Sequence, residues 1–270
     1  MKKETRWSLI VICIICLVSS SGLIFSIKYN QYKERKAFEE LESKKQTENL
    51  EEESTETDEV LETEPTVEEP EIKQPIILSE YKKLYEENSD LYGWIKIDDT
   101  IIDYPVMHTS EDLNYYNHHD WNRNETISGT PFVDGRTIYG ETENTLVYGH
   151  NMKDRTMFGS LREYKEKSFY ETHKYIQFDT IYEKEKYEII SVSKGIVYYD
   201  VEPPKDEYLF YDHVELDTKE QFNQYVQNIK DNEYFETGVT AEFGDKLITL
   251  CTCDYWTENA RLLVVAKKIN

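Results

Sequence analysis

Two side chains near the end of the chain have the chemistry that acyl transfer requires. Cys253 ends a short β-patterned stretch, residues 246–253. A cysteine attacks a carbonyl carbon as its thiolate, and an unperturbed thiol is only a few per cent ionised near neutral pH. Arg261 opens the next β-branched run, and its guanidinium could donate hydrogen bonds to the carbonyl oxygen as negative charge develops there. The two residues together favour nucleophilic attack on a carbonyl group.

A nucleophilic cysteine needs a base or a cation beside it, and His150 is the candidate. It follows a predicted strand and a glycine in the segment Val-Tyr-Gly-His-Asn, residues 147–151. His150 could lie close to the thiolate as an imidazolium, or it could move the proton itself and then protonate the departing amine. The sequence leaves both descriptions open.

Five other histidines compete with this candidate, and they are His108, His118, His119, His173 and His213. The adjacent pair His118 and His119 would point to opposite faces of a strand, and no metal-ligand spacing recurs nearby. We therefore predict no metal site and no cofactor.

The four cysteines fall into two pairs. Cys13 and Cys16 lie in an apolar stretch, where a small polarizable side chain packs well. Cys251 and Cys253 would lie on the same face of a strand, about 6.5 to 7 Å apart, which is too far for an easy disulfide. At least one of them is therefore predicted to be a free thiol. An exported thiol oxidoreductase that uses both cysteines is the first alternative function.

These motifs resemble those of the sortases, the membrane-anchored cysteine transpeptidases of Gram-positive bacteria. The family motif Thr-Leu-x-Thr-Cys, at the end of a strand, is matched by residues 249–253. An arginine at the start of the next strand is matched by Arg261, and the family histidine after a strand and a glycine is matched by His150. The stretches 114–116 and 129–134 also resemble a sortase.

The resemblance implies a role for each of three residues. Cys253 would be the nucleophile, His150 the general acid and base, and Arg261 the residue that stabilises the oxyanion and the substrate. The implied reaction cleaves a C-terminal sorting signal at a Thr-Gly or Thr-Asn type bond and forms a thioester. An amine of a peptidoglycan precursor or cross-bridge then resolves the thioester. The implied partners are thus the sorting-signal peptides of secreted surface proteins and that amine.

A helix predicted just before the cysteine strand, with another before the barrel, is most similar to class B sortases. The implied fold is mainly β, a closed sortase-like β-barrel with an N-terminal helix and an inserted helix. Class B members commonly have Ser where this chain has Cys251. That departure leaves the assignment of the nucleophile intact.

By composition the chain divides into four segments. Residues 1–6 are predicted to be cytoplasmic, and residues 7–27, which contain no charged side chain, form a predicted single-pass transmembrane signal anchor, since about 20 residues cross a bilayer. A cleaved signal peptide is the alternative, although its apolar region usually runs only about 7 to 15 residues. Residues 28–75 are predicted to be an acidic flexible linker. Residues 76–270 are the predicted sortase-like catalytic domain, which the resemblance places outside the cell at the membrane.

Short β-patterned runs dominate the predicted domain. They cover residues 93–97, 101–107, 129–134, 145–148, 175–179, 187–192, 195–199, 246–253 and 261–269. Ser79 could cap a short helix, and helical spacing predicts two more, over residues 157–164 and 218–230. Many short strands with few helices indicate an all-β barrel or sandwich with helical insertions.

The charge of the chain argues against nucleic acid as a partner. The net charge is −23, whereas a phosphate-binding surface needs a basic face. A tethered surface-binding module without chemistry is the second alternative function, and it predicts that Cys253→Ala leaves the phenotype unchanged.

Overall fold

The computed structural model describes residues 3–53, 75–199, 201–205 and 207–270. The chain separates into two compact units, Met1–Lys44 and Lys45–Asn270. A long helix, α1 (Lys3–Glu53), accounts for the first unit. No helix in the described part of the chain combines the length and the apolar character that crossing a membrane requires. Most side chains of the predicted anchor, residues 7–27, lie outside the described residues.

Helix α1 differs from the sequence prediction over its second half. The predicted flexible linker, residues 28–75, is helical up to Glu53, and residues 54–74 lie outside the described part of the chain. Residues 28–53 are rich in Glu and Lys, which are strong helix formers, and contain neither Gly nor Pro. An exposed pair, Lys36 Nζ to Glu39 Oε2 at 3.1 Å, has the i, i+3 spacing that stabilises a helix. Strong helix formers and opposite charges at helical spacing both favour a helix over residues 28–53.

The second unit contains a β-barrel. Its strands are β1 (Leu91–Lys96), β2 (Asp103–Met107), β3 (Phe132–Val133), β4 (Asn144–Tyr148), β5 (Tyr175–Thr180), β6 (Lys186–Ile196), β7 (Leu247–Cys253) and β8 (Ala260–Lys268). They form a closed barrel in the order β1-β2-β3-β4-β7-β8-β6-β5. The prediction of a mainly β, closed barrel is confirmed.

Helices flank and interrupt the barrel. In the described residues after α1 they are α2 (Ser79–Glu87), α3 (Lys167–Thr172) and α4 (Lys219–Asp231), with 3₁₀ helices at Tyr115–Asn117, Gly159–Lys165 and Phe210–Asp212. Helix α2 precedes the barrel and α4 is inserted before β7, as predicted. The helix predicted over residues 157–164 is the 3₁₀ helix Gly159–Lys165, and the two strands predicted over residues 187–199 are the single strand β6.

Helix α4 shares a hydrophobic core with the last two strands. Phe222, Tyr225 and Ile229 are buried on one face of α4, at the spacing of an amphipathic helix. The same core cluster contains Leu247 of β7 and Leu263 of β8. Strand β7 is therefore buried on both faces, and only its last residue is not fully buried.

Candidate active site

Three chain segments meet at one edge of the barrel. Strands β4 and β7 are parallel and their register ends at the pair Tyr148↔Cys251, so both strands finish at this edge. Antiparallel β8 begins there, with Arg261 opposite Cys253, and His150 follows the end of β4. Because of this topology, Cys253, His150 and Arg261 line one groove with a volume of about 720 Å³.

The two cysteines of β7 have different surroundings, although both are free thiols. Cys251 is 2% exposed and belongs to the core that α4 covers. Burial raises the pKa of the Cys251 thiol to about 12, although the charge of Arg261 opposes this rise. Such a thiol stays protonated at neutral pH. Cys253 lies one step further along the same face, is only partly buried, and is the thiol that a substrate can reach.

His150 is oriented by a backbone carbonyl. Its Nε2 atom lies 2.8 Å from the carbonyl oxygen of Asn117. A carbonyl oxygen can only accept a hydrogen bond, so Nε2 carries a proton and donates it. Nδ1 is therefore the ring nitrogen that remains for exchanging a proton with a thiol or a substrate. The His118 ring also lines the groove, with its centroid 5.9 Å from that of His150.

Arg261 is held in place by two hydrogen bonds. Its Nη1 donates to the Ala260 carbonyl oxygen at 2.9 Å, and its Nη2 donates to the Tyr199 hydroxyl. The Cζ atom lies 5.6 Å from the centroid of the Tyr199 ring, which is a cation–π distance. The guanidinium is thus a fixed positive group opposite Cys253, where it can stabilise negative charge on a carbonyl oxygen.

A second polar cluster lines the groove beside β4. Arg136 donates to the two carboxylate oxygens of Asp134 at 2.8 and 2.9 Å, and the Tyr148 hydroxyl donates to Asp134 at 3.0 Å. Burial by itself would raise the pKa of Asp134, but the hydrogen bonds and the charge of Arg136 lower it overall. The ionised carboxylate and the guanidinium compensate each other, so this part of the groove is polar.

The residue after Cys253 anchors the end of β7. Asp254 is 8% exposed and forms an ion pair with Lys165 of the 3₁₀ helix Gly159–Lys165. It also accepts a hydrogen bond from the Tyr234 hydroxyl at 2.9 Å. Its carboxylate is engaged by these partners, so Asp254 supports the strand that carries the thiol.

The structure thus brings all three sequence-predicted site residues into one groove; their roles stay a prediction. Two neighbours were missed. Asn117 acts through its backbone carbonyl. Because every residue has such a group, the residue type does not predict this role. Tyr199 is one of 22 tyrosines, and nothing in its local sequence distinguishes it. Of the adjacent histidines, His118 lines the groove, while His119 stacks on another ring at a centroid distance of 3.8 Å.

Known proteins are similar to this chain in both sequence and fold. The family model for the sortase domain matches residues 95–269. Sortase B of Staphylococcus aureus is 31% identical over 198 residues, which cover 73% of this chain and 77% of that protein. Sortase B of Listeria monocytogenes is 32% identical over 199 residues, covering 72% and 75%.

Solved structures agree with these matches. A complex of Staphylococcus aureus sortase B with a substrate is similar with a TM-score of 0.69 at 28% identity, over 89% of this chain and 98% of that one. Sortase B of Clostridium perfringens is similar with a TM-score of 0.61 at 32% identity, over 70% and 99%. With the barrel and its groove, these likenesses define a cysteine transpeptidase. The chain belongs to the sortase family and is most like the class B sortases.

Proposed function

We propose that this protein cleaves the C-terminal sorting signal of secreted surface proteins and transfers them to an amine of peptidoglycan. The observation that carries the proposal is the single groove lined by Cys253, His150 and Arg261. A volume of about 720 Å³ is within the range of sites that enclose a ligand, roughly 300 to 1,000 Å³. A related sortase B, 28% identical, has been solved with its substrate, and this likeness supports a peptide as the ligand.

In the first step, the Cys253 thiolate attacks the carbonyl carbon of a Thr-Gly or Thr-Asn type bond. The carbonyl oxygen takes up negative charge, and the Arg261 guanidinium stabilises it. The C–N bond then breaks, His150 gives a proton to the departing amine, and the product is a thioester on Cys253.

In the second step, an amine of a peptidoglycan precursor or cross-bridge attacks the thioester carbonyl. The C–S bond breaks, the thiolate is released, and the proton lost by the amine passes to His150. A new amide bond replaces the one that was cleaved, so the reaction needs no oxidant, metal or cofactor. The two half-reactions together are a transpeptidation.

We also propose that residues 7–27 anchor the protein in the cell membrane, with the catalytic domain outside the cell. The support is the absence of charged side chains over these 21 residues of sequence. At the described end of the segment, Ile24 and Phe25 are 60% and 72% exposed. Large apolar side chains exposed on a helix fit a lipid environment better than water.

The experiment that tests the reaction is trapping of the thioester. The full chain is incubated with a library of sorting-signal peptides, and mass spectrometry identifies the peptide that acylates the enzyme and the residue that carries it. We expect the acyl group on Cys253. Cys253→Ala, His150→Ala and Arg261→Ala should each abolish cleavage, because loss of a single oxyanion donor alone costs about 100- to 1,000-fold in kcat.

The same variants separate the alternatives. A thiol oxidoreductase predicts that both cysteines matter equally and that His150 and Arg261 do not. A binding module without chemistry predicts that the Cys253→Ala protein behaves as the wild type. Full peptide cleavage by Cys253→Ala would reject the transpeptidase.

A further inference from the structure

The parallel ladder between β4 and β7 stops just before the candidate active-site residues. Its last register pair is Tyr148↔Cys251, and one more backbone hydrogen bond follows, from the Gly149 N–H to the Cys251 carbonyl at 3.2 Å. Beyond this point no further backbone pairing joins β4 to β7 in the described part of the chain, whereas β7 stays paired with β8 up to Cys253. The segment with His150 and the end of β7 must therefore be held together by other means.

Two side-chain hydrogen bonds connect the His150 segment to β7 beyond the end of the backbone ladder. The Thr252 hydroxyl donates to the Gly149 carbonyl oxygen at 2.7 Å. The Asn151 side-chain amide donates to the Cys253 carbonyl oxygen at 2.7 Å. One of these hydrogen bonds involves the residue before His150 and the other the residue after it. The histidine is therefore flanked on both sides by hydrogen bonds to β7, the strand that carries Cys253.

The side chain of Asn151 makes no other hydrogen bond within the described part of the chain. Its Oδ1 atom is buried and has no partner there. A buried oxygen without a hydrogen-bond partner lowers the stability of the fold. Stability alone therefore does not explain an asparagine at this position. Its one hydrogen bond ends on the backbone of the candidate nucleophile, which favours a role in positioning.

The loop that follows His150 is closed by its own contacts. We therefore expect the loss of either hydrogen bond to β7 to change the position of the His150 ring. The Phe158 N–H donates to the His150 carbonyl at 3.0 Å, and Asn151 forms an isolated β-bridge with Met157. At Gly149, a Cβ atom would lie 2.7 Å from the Phe158 ring. These contacts close the loop, and the two hydrogen bonds to β7 help to set where His150 lies.

We propose that Asn151 is a positioning residue that, with Thr252, sets the separation between the His150 ring and the Cys253 sulfur. The inference rests on the proposed function, because it concerns the pairing of these two groups. Reacting groups must lie about 3 to 3.5 Å apart, and a misplacement of about 1 Å can cost on the order of 100-fold in rate. Loss of either hydrogen bond should therefore lower kcat more than it changes KM.

The test uses the full chain and variants of matched shape. Asn151→Asp keeps the shape of the side chain, but its carboxylate cannot donate to the Cys253 carbonyl. Thr252→Val removes only the hydroxyl donor, whereas Thr252→Ser keeps it. Two quantities are measured: the pH dependence of Cys253 alkylation by iodoacetamide, and kcat and KM for the peptide found in the acylation experiment.

For Asn151→Asp and Thr252→Val we expect kcat to fall by about 10- to 100-fold, with KM changed by less than about twofold. The pH profile of Cys253 alkylation should differ from that of the wild type, because the distance between the imidazole and the sulfur changes. Thr252→Ser should restore both quantities to near the wild-type values.

Thr249→Val is the matched control on the same strand. Its hydroxyl is buried and donates to Asn144 Oδ1 at 2.8 Å, away from the loop of His150. We expect this variant to lower Tm without moving the alkylation profile. The inference is overturned if Asn151→Asp keeps the wild-type profile and kcat, or if Thr249→Val shifts both quantities equally. Alkylation needs no substrate, so this result is obtained even if no peptide acylates Cys253 and the proposed function fails.

Discussion

The two thiols of β7 show that the environment, more than the residue type, decides reactivity. Cys251 and Cys253 lie on the same face of one strand, but helix α4 covers only the first. Burial raises the pKa of Cys251 to about 12, while Cys253 lies in the groove opposite Arg261. A redox pair with two equivalent cysteines does not fit this asymmetry.

We predict that Cys251→Ser keeps most of the transpeptidase activity, because the buried thiol does not reach the substrate as a thiolate. Peptide cleavage by this variant and by Cys253→Ala measures the difference. Of the two thiols of β7, iodoacetamide should modify Cys253 and leave Cys251 unmodified in the native protein, and mass spectrometry can locate the modification. Equal loss of activity in the two variants would instead support the thiol oxidoreductase.

The ion pair of Asp254 predicts a pH-dependent contribution to stability. Burial by itself would raise the pKa of Asp254, but hydrogen bonds from Lys165, the Tyr255 N–H and Tyr234 lower it overall. A carboxylate whose pKa is lower in the folded state stabilises the fold above its unfolded pKa, about 3.9. That contribution is lost as the pH falls through the folded pKa.

Asp254→Asn should therefore have a lower Tm than the wild type at pH 7, and the difference should shrink below about pH 4. Thermal unfolding of both proteins between pH 7 and pH 2 measures it. A Tm difference that stays constant over this range would show that the charge of Asp254 contributes nothing to stability.

Among the elements, helix α4 and strand β7 depend on each other. The Tyr225 hydroxyl of α4 is hydrogen-bonded to Thr249 of β7, and both residues are buried in the core. The helix begins with a capping box, in which Thr218 and Gln221 each bond to the backbone of the other. Because α4 covers one face of β7, the stability of the helix contributes to the stability of the strand that carries Cys253.

We expect Thr218→Ala to lower the free energy of unfolding by about 1 kcal/mol, since it removes the hydroxyl that accepts from the Gln221 N–H. Thr218→Ser keeps a hydroxyl at the cap and is the matched control. Urea unfolding of the three proteins measures the effect. If Thr218→Ala and Thr218→Ser are equally stable, the cap does not stabilise α4.

For the molecule as a whole, the uneven distribution of charge separates the proposed anchor from the rest. Residues 7–27 carry no charge, whereas the complete chain has a net charge of −23. This distribution fits the proposal that residues 7–27 enter lipid while the acidic remainder of the chain stays in water.

We predict that the full chain sediments with membranes and is released by detergent but not by high salt, while a chain that starts at residue 28 stays in the soluble fraction. The intact mass of the purified protein distinguishes the two hypotheses for the N-terminus. A mass that lacks the N-terminal apolar segment would establish the cleaved signal peptide in place of the anchor.

Much of the barrel was predictable because strand and helix patterns are local. Strands β7 and β8 were predicted to within one residue, since β-branched runs bounded by polar residues mark both. The apolar spacing of helix α4 predicts its bounds to within one residue, whereas its capping box is seen only in the structure. Residues 28–53 differ from the prediction of a flexible linker, because this part of the segment is rich in Glu and Lys, which are strong helix formers, and contains no Pro or Gly.

Residue chemistry in short motifs was enough to indicate a thiol nucleophile, a histidine, an arginine and the family they belong to. Only the tertiary structure decided which thiol is buried, which carbonyl orients His150, and which side chain holds Arg261. The Asn151 amide and the Cys253 carbonyl are 102 residues apart in the chain, and His150 is 33 residues from the carbonyl that orients it. Contacts over such separations arise from the closure of the barrel, and no local pattern of residue types encodes them.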